Sequence, residues 1–314
     1  MKAPPHYPGG IVKQSNIAVV GLGSMGQGMA RSLLRAGLHV SGCDINPAAL
    51  EGLKASGGHP FATPAQACEN ADVAVIVVVN AAQTESVLFG PDGAVAVLKP
   101  GSVIISSATM SPADAKALAA RAAEKDIHFL DAPISGGAAK AGEGKLTVMA
   151  SGSMEAFAKA KPALDAMAET VYELGDAVGI GSSFKIVNQL LAGVHIAAAC
   201  EAITFARSLD LDITRVFEVI TKSAGNSWMF ENRVPRVLAG DYAPRSAVSI
   251  FTKDLGIVSD LGRKQKFPLP VASAALQLFV MTEAAGMGGD DDASVARLLA
   301  RIAGIDLPGM KEEI

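Results

Sequence analysis

Hydrophobic and polar positions divide this 314-residue chain into two halves of different rhythm. In the first half, short β-branched or apolar runs recur: Ile17–Val20, Leu38–Cys43, Val73–Val79, Ser102–Ser106, Ile127–Leu130, Leu146–Ala150 and Thr170–Tyr172. Stretches of helical spacing separate them, such as the one through Met29, Leu33 and Leu34 that ends at Gly37, and Met154–Met167. This alternation predicts parallel strands joined by crossover helices, with ligand-binding loops at the carboxyl ends of the strands. From Ser182 onward the period is helical nearly throughout, broken at Asp210–Asp212, Ala224–Ser227, Asp241–Arg245, Phe267–Pro270 and Gly286–Gly289. The second half is therefore expected to be all-α.

The first strand runs straight into Gly21-Leu22-Gly23-Ser24-Met25-Gly26 and then a helix. In that setting the glycines have distinct tasks. Gly21 allows the tight turn, Gly23 lets the backbone approach a pyrophosphate, and Gly26 lets the helix pack on the sheet. The helix N-terminus would face the phosphates with unpaired N–H groups. Asp44 closes the second strand, where a ribose-binding acid belongs. It could equally cap the helix beginning at Pro47. Neither Ile45 nor Asn46 offers a cation for a 2′-phosphate, so NAD is favoured over NADP. The expected organisation is an α/β, Rossmann-type doubly wound sheet domain followed by an all-α domain joined by a long helix. Its boundaries are a loose arm over 1–15, the dinucleotide domain over 16–180, and the helical domain over 181–314.

Past the midpoint, Gly179 to Asn188 bends tightly and opens a helix that Ser182 or Ser183 could cap. Leu190, Leu191, Val194, Ile196 and Ile203 make that helix largely apolar. Lys185, Asn188 and Gln189 stand at i, i+3 and i+4, on one face. Lys185 either snorkels to solvent or is held buried for a chemical purpose. Other segments also admit two readings. The loops Val79-Asn80-Ala81-Ala82-Gln83 and Ser106-Ser107-Ala108-Thr109 border a ligand or are ordinary turns. Ser135-Gly136-Gly137 is an anion-holding nest or a plain glycine turn. The segment from Asn226 to Arg233, with the single tryptophan Trp228, and the pair Lys253-Asp254 are ligand contacts or helix-packing corners with a surface ion pair.

Composition narrows the function classes. A net charge of −4 argues against nucleic acid or an anionic membrane as partner. Asp290, Asp291 and Asp292 form the densest acidic patch and are expected in a solvated loop or helix start. Cys43, Cys68 and Cys200 lack metal or redox spacing, and the five histidines form no ligand pair, so no metal site is expected. No signal-peptide pattern stands at the N-terminus, and the apolar runs look too short to span a bilayer, which points to a soluble, cytoplasmic protein. The long helix is apolar on more than one face, so a homodimer or homotetramer is expected.

Taken together, the glycine turn, Asp131-Ala132-Pro133-Ile134-Ser135-Gly136-Gly137, Gly179…Lys185…Asn188 and Lys253-Asp254-Leu255-Gly256 resemble the β-hydroxyacid dehydrogenase family. The likeness covers nearly everything after the first fifteen residues. It implies that Ser135, Gly136 and Gly137 hold a substrate carboxylate and that Lys185, aided by Asn188, is the acid/base, with His128 and His195 weaker candidates. It also implies that Val78, Val79, Gln83, Thr109 and Lys253 join the glycine turn and Asp44 around the cofactor. Within the family, Gln189–Glu201 and Ala224–Pro235 look most like the L-threonate-oxidising branch. Gln189, His195, Asn226, Ser227 and Trp228 are then expected at a polar substrate pocket. The implied reaction is NAD-dependent oxidation of the C2 hydroxyl of L-threonate. The alternatives are another short hydroxy acid (3-hydroxyisobutyrate, D-glycerate or tartronate semialdehyde) or a non-catalytic dinucleotide-sensing module.

Overall fold

The apolar runs of the first half become buried parallel strands. In the computed structural model, which describes residues 15–310, these are β1 (Asn16–Val20), β2 (His39–Cys43), β3 (His59–Phe61), β4 (Val73–Ile76), β5 (Val103–Ser106) and β6 (His128–Asp131). Their order is β3-β2-β1-β4-β5-β6, and every neighbouring pair is parallel. Buried on both faces, β4 and β5 read as unbroken apolar runs rather than alternating ones. The order reverses at β1 and β4, which places the ligand-binding switch point at their carboxyl ends. The three-residue strand β3 was not expected from the sequence. It contains Pro60 and lies at the sheet edge, where a missing N–H is tolerated.

Helices α1 (Ser24–Arg35), α2 (Pro47–Ala55), α3 (Pro64–Cys68), α4 (Ala81–Phe89) and α5 (Pro112–Ala123) connect these strands. A second, three-stranded sheet follows: β7 (Ile134–Ser135), β8 (Leu146–Ala150) and β9 (Ala168–Glu173), with α6 (Gly137–Glu143) and α7 (Met154–Met167) between its strands. One core unites Val19, Leu33, Val75, Ile105 and Leu130 with Leu146 and Ala160.

The second half is helical: α8 (Ile180–Ser208), α9 (Ile213–Ile220), α10 (Trp228–Ala239), α11 (Val248–Gln265), α12 (Pro270–Thr282) and α13 (Val295–Ala303). Helix α8 packs against α10, α11, α12 and α13 and carries Ile196 and Ile203 into a core with Phe251 and Phe279. Gly193 lets Leu255 press against the helix, since a Cβ there would come within 2.8 Å of that side chain. By length and composition α8 could cross a membrane, which corrects the expectation that every apolar run is too short. Half of its most apolar window is buried, as in a core helix. The chain clusters into two compact units, and Val79–Ala81 and Thr109–Ala117 group with the helical one. The expected arm lies outside the described residues, except for Ser15.

Two further expectations are overturned. Helix α8 starts at Ile180 with Gly179 (φ 99°) at its N-cap, so Ser182 and Ser183 are not caps. The Ser183 hydroxyl instead donates back to the Gly179 carbonyl at 2.7 Å. The acidic patch is not a solvated loop: Asp291 and Asp292 are fully buried. Arg233 Nε and Nη2 donate to the two oxygens of Asp292 at 2.6 and 2.8 Å, Arg236 pairs with Asp291 at 2.5 Å, and Arg297 with Asp290 at 2.7 Å. Three arginines from two helices hold the acids, and the forked Arg233–Asp292 pair is a form in which buried charge is tolerated.

Candidate active site

The glycine turn stands at the carboxyl end of β1. Gly21 has φ 92°, and a Cβ there would lie 2.4 Å from the Val77 carbonyl oxygen. A Cβ on Gly26 would lie 1.9 Å from the Gly21 oxygen, so glycine is required for α1 to leave the turn. At Gly23 an added Cβ would meet nothing within 4 Å. None of the described residues therefore demands glycine at position 23, and the open space there fits the close approach of a phosphate group. Gly23, at the N-cap of α1, and Ser24 are exposed, and no side chain caps the helix. Leu22 is buried beneath the turn, while Met25 is half-buried and packs against the core.

Asp44 accepts the Leu22 N–H at 2.6 Å through Oδ2 and the Asn46 N–H at 2.8 Å through Oδ1. It does not cap α2; Asn46 does, accepting from the Ala48 N–H. The carboxylate thus holds the glycine turn to the loop after β2 and keeps lone pairs for two hydroxyls. Val78 is half-buried past β4, and Gln83 is exposed in the first turn of α4. Ser106 and Ser107, at the end of β5, have buried hydroxyls without a hydrogen-bond partner among the described residues.

Ser135 is the last residue of β7, paired with Thr147, rather than part of a glycine turn. The turn begins one residue later: Gly136 (φ 133°) and Gly137 (φ 76°) reverse the chain into α6. The opening of that helix carries no side-chain cap.

In the helical unit, Lys185 is buried, 8% exposed. Burial lowers its pKa to about 8, opposed by the charge of Asp254 and assisted by that of Lys253. The ammonium is thus not snorkelling. Asn188 donates to Gln189 Oε1 at 2.9 Å, and the Gln189 amide donates to Asp254 Oδ2. Lys253 Nζ donates to the Val79 carbonyl at 2.7 Å and the Thr109 carbonyl at 3.4 Å. Its contact with Asp254 is no surface pair, because Asp254 is 1% exposed. Sequence reading passed over Asp254 as a site residue. The available signal was its place among Phe251, Leu255 and Val258, on the apolar face of α11.

The other expected contributors lie on α8, on α10 and just before it, and on β6. The Ser227 hydroxyl caps α10 by accepting from Phe230 N–H at 3.1 Å, and Asn226 donates to the Thr221 carbonyl and to Glu231 at 3.3 and 2.6 Å. Trp228 is exposed at the first position of α10. His195 lies ten residues beyond Lys185, about 15 Å along the same helix. His128 starts β6, at the amino end of the strands. Burial pushes the Cys43 and Cys200 thiols up to about 12, away from nucleophilic use.

Residues 16–175 match the family model for the NAD binding domain of 6-phosphogluconate dehydrogenase, and residues 179–299 match that for the NAD-binding of NADP-dependent 3-hydroxyisobutyrate dehydrogenase. The chain is 53% identical over 297 residues to an L-threonate dehydrogenase of Cupriavidus necator, covering 95% of this chain and 99% of that one. It is 48% identical to an L-threonate dehydrogenase of Escherichia coli K12, covering 94% and 97%. A crystal structure described as 3-hydroxyisobutyrate dehydrogenase from Salmonella typhimurium is 50% identical and superposes with a TM-score of 0.87, covering 91% of this chain and 100% of that one. NAD is therefore the cofactor that the glycine turn and Asp44 fit, and the chain is an NAD-dependent hydroxyacid dehydrogenase that belongs to the 3-hydroxyisobutyrate dehydrogenase family.

Proposed function

We propose that the protein oxidises the C2 hydroxyl of L-threonate to the 2-oxo acid, with Lys185 as the general base. The observation that carries this reading is a lysine buried in a helix, with its pKa lowered to about 8, beside Asn188, Gln189 and Asp254. When bound, NAD accepts the hydride. Loss of hydride alone would leave a high-energy oxocarbenium, so the hydroxyl proton must depart in the same step. A neutral Lys185 amine takes that proton, and its lowered pKa keeps a useful fraction neutral near physiological pH. Asn188, one turn on, orients the amine and the substrate hydroxyl. Ser135, Gly136 and Gly137 hold the substrate carboxylate, with Gln189 and Trp228 as further substrate contacts. Gly21–Gly26, Asp44, Val78, Val79, Gln83, Thr109 and Lys253 hold the cofactor. The choice of L-threonate rests on relatives named for that substrate at about half identity over nearly the whole chain.

Lys185→Ala tests the assignment. It is expected to bind NAD as the wild type does and to lose about 10²- to 10⁴-fold in turnover, the usual contribution of a positioned base. Turnover close to wild type would sink it. We also infer a homodimer or homotetramer, supported by exposed Phe184, Val187, Leu191 and Phe205 along α8. A solution mass equal to the 32.1 kDa chain would contradict that.

A further inference from the structure

Asp254 is a buried acid for which neither the sequence motifs nor the mechanism above supplies a task. It shares the apolar face of α11 with Phe251, Leu255 and Val258 and is 1% exposed. A carboxylate in such surroundings is costly unless its oxygens are engaged. Oδ2 accepts from the Gln189 amide on α8. Oδ1 lies 2.7 Å from Lys253 Nζ, off the line of a hydrogen bond, so that contact is chiefly Coulombic. Each neighbour reaches further. Gln189 Oε1 accepts from Asn188, one turn beyond Lys185, and Lys253 donates to the carbonyls of Val79 and Thr109.

We propose that Asp254 is a positioning residue: its two oxygens tie the face of α8 that carries Lys185 and Asn188 to Lys253, and through Lys253 to the Val79 and Thr109 segments. This rests on Lys185 being the base. The arrangement has an electrical consequence. Two charges that act on Lys185 are those of Asp254 and Lys253, both on α11. The carboxylate favours the ammonium form of Lys185, and the neighbouring ammonium opposes it. Asp254 therefore limits how far burial depresses the base, as well as fixing its helix face.

The test is a carbon-13 NMR titration of lysine-labelled protein without nucleotide, the Lys185 resonance being identified by its loss in Lys185→Met. Asp254→Asn keeps the shape and can still accept from Gln189, but removes the charge. Its Lys185 midpoint is expected to fall by about one pH unit, the low end of what a neighbouring opposite charge supplies. Lys253→Met is expected to move the midpoint up. A purely structural aspartate would leave the midpoint in place, so an unchanged value in folded Asp254→Asn overturns the proposal. If Asp254→Asn does not melt as a folded protein, Lys253→Met decides: an upward shift supports the proposal and an unchanged midpoint overturns it. Near-normal turnover of Lys185→Ala would overturn the base assignment and this proposal together. An unmoved midpoint with inactive Lys185→Ala overturns this proposal alone.

Discussion

Burial sets the ionisation of Lys185, and its consequences run through the pH scale in a fixed direction. In the proposed mechanism the neutral amine is the working form for oxidation, so kcat/KM for alcohol oxidation is predicted to rise with pH and level off above about 8. By the same mechanism, reduction of the oxo acid uses the ammonium and is predicted to fall over the same range. A flat profile for both directions would contradict the assignment. Stability has its own sign. Unfolded chain holds the lysine proton up to about 10.4, whereas the folded protein releases it near 8, so this group makes the fold more stable as pH rises through that window. Lys185 could be singled out in the sequence because a cation in an apolar helix is conspicuous. Asp254 is less conspicuous, because a preceding lysine makes an acid look like half of a surface pair, and only its place on the apolar face of α11 tells against that. Asn226 and Ser227 show the converse: polar side chains suited to a pocket also serve as a local hydrogen-bond anchor and a helix cap.

At the scale of elements, the glycine turn is where folding can be separated from the proposed cofactor binding. Gly26→Ala would force a Cβ against the Gly21 backbone oxygen, which cannot move aside cheaply. It is predicted to destabilise the protein by roughly 1–3 kcal/mol, as overpacking does, and to lower the melting temperature. Gly23→Ala has φ −62° and open space around the added carbon, so its melting temperature is predicted to stay at the wild-type value. Its NAD affinity is predicted to fall about tenfold, a loss of roughly 1.4 kcal/mol. Calorimetry of melting and of NAD binding checks both, and equal behaviour of the two variants would contradict this division. The turn, its flanking strand and helix, and the main strands were legible because periodicity and glycine spacing are local signals. The short strands β3 and β7 were not, since their partners β2 and β8 supply the pairing that three- and two-residue segments cannot announce. The cap of α8 lies three or four residues before the expected serines because Gly179, at positive φ, turns the chain into the helix before they are reached.

For the molecule as a whole, composition and rhythm were enough to anticipate an α/β half followed by a helical half, but not the charge placement inside the second. Arg233 and Asp292 are 59 positions apart, and only folding brings them together. The long helix α8 joins several of these scales. It is the hub of the helical core, it presents apolar side chains outward, and it carries the proposed base. Relatives named for L-threonate and for 3-hydroxyisobutyrate share this architecture, so the architecture does not select the substrate. The most direct measurement is therefore the initial rate of nicotinamide reduction by purified protein with L-threonate, D-threonate, 3-hydroxyisobutyrate and D-glycerate, each with NAD and with NADP. The account predicts a clear preference for L-threonate with NAD. Preference for another acid would contradict the substrate assignment, and no turnover of any acid with NAD still bound would contradict the catalytic one.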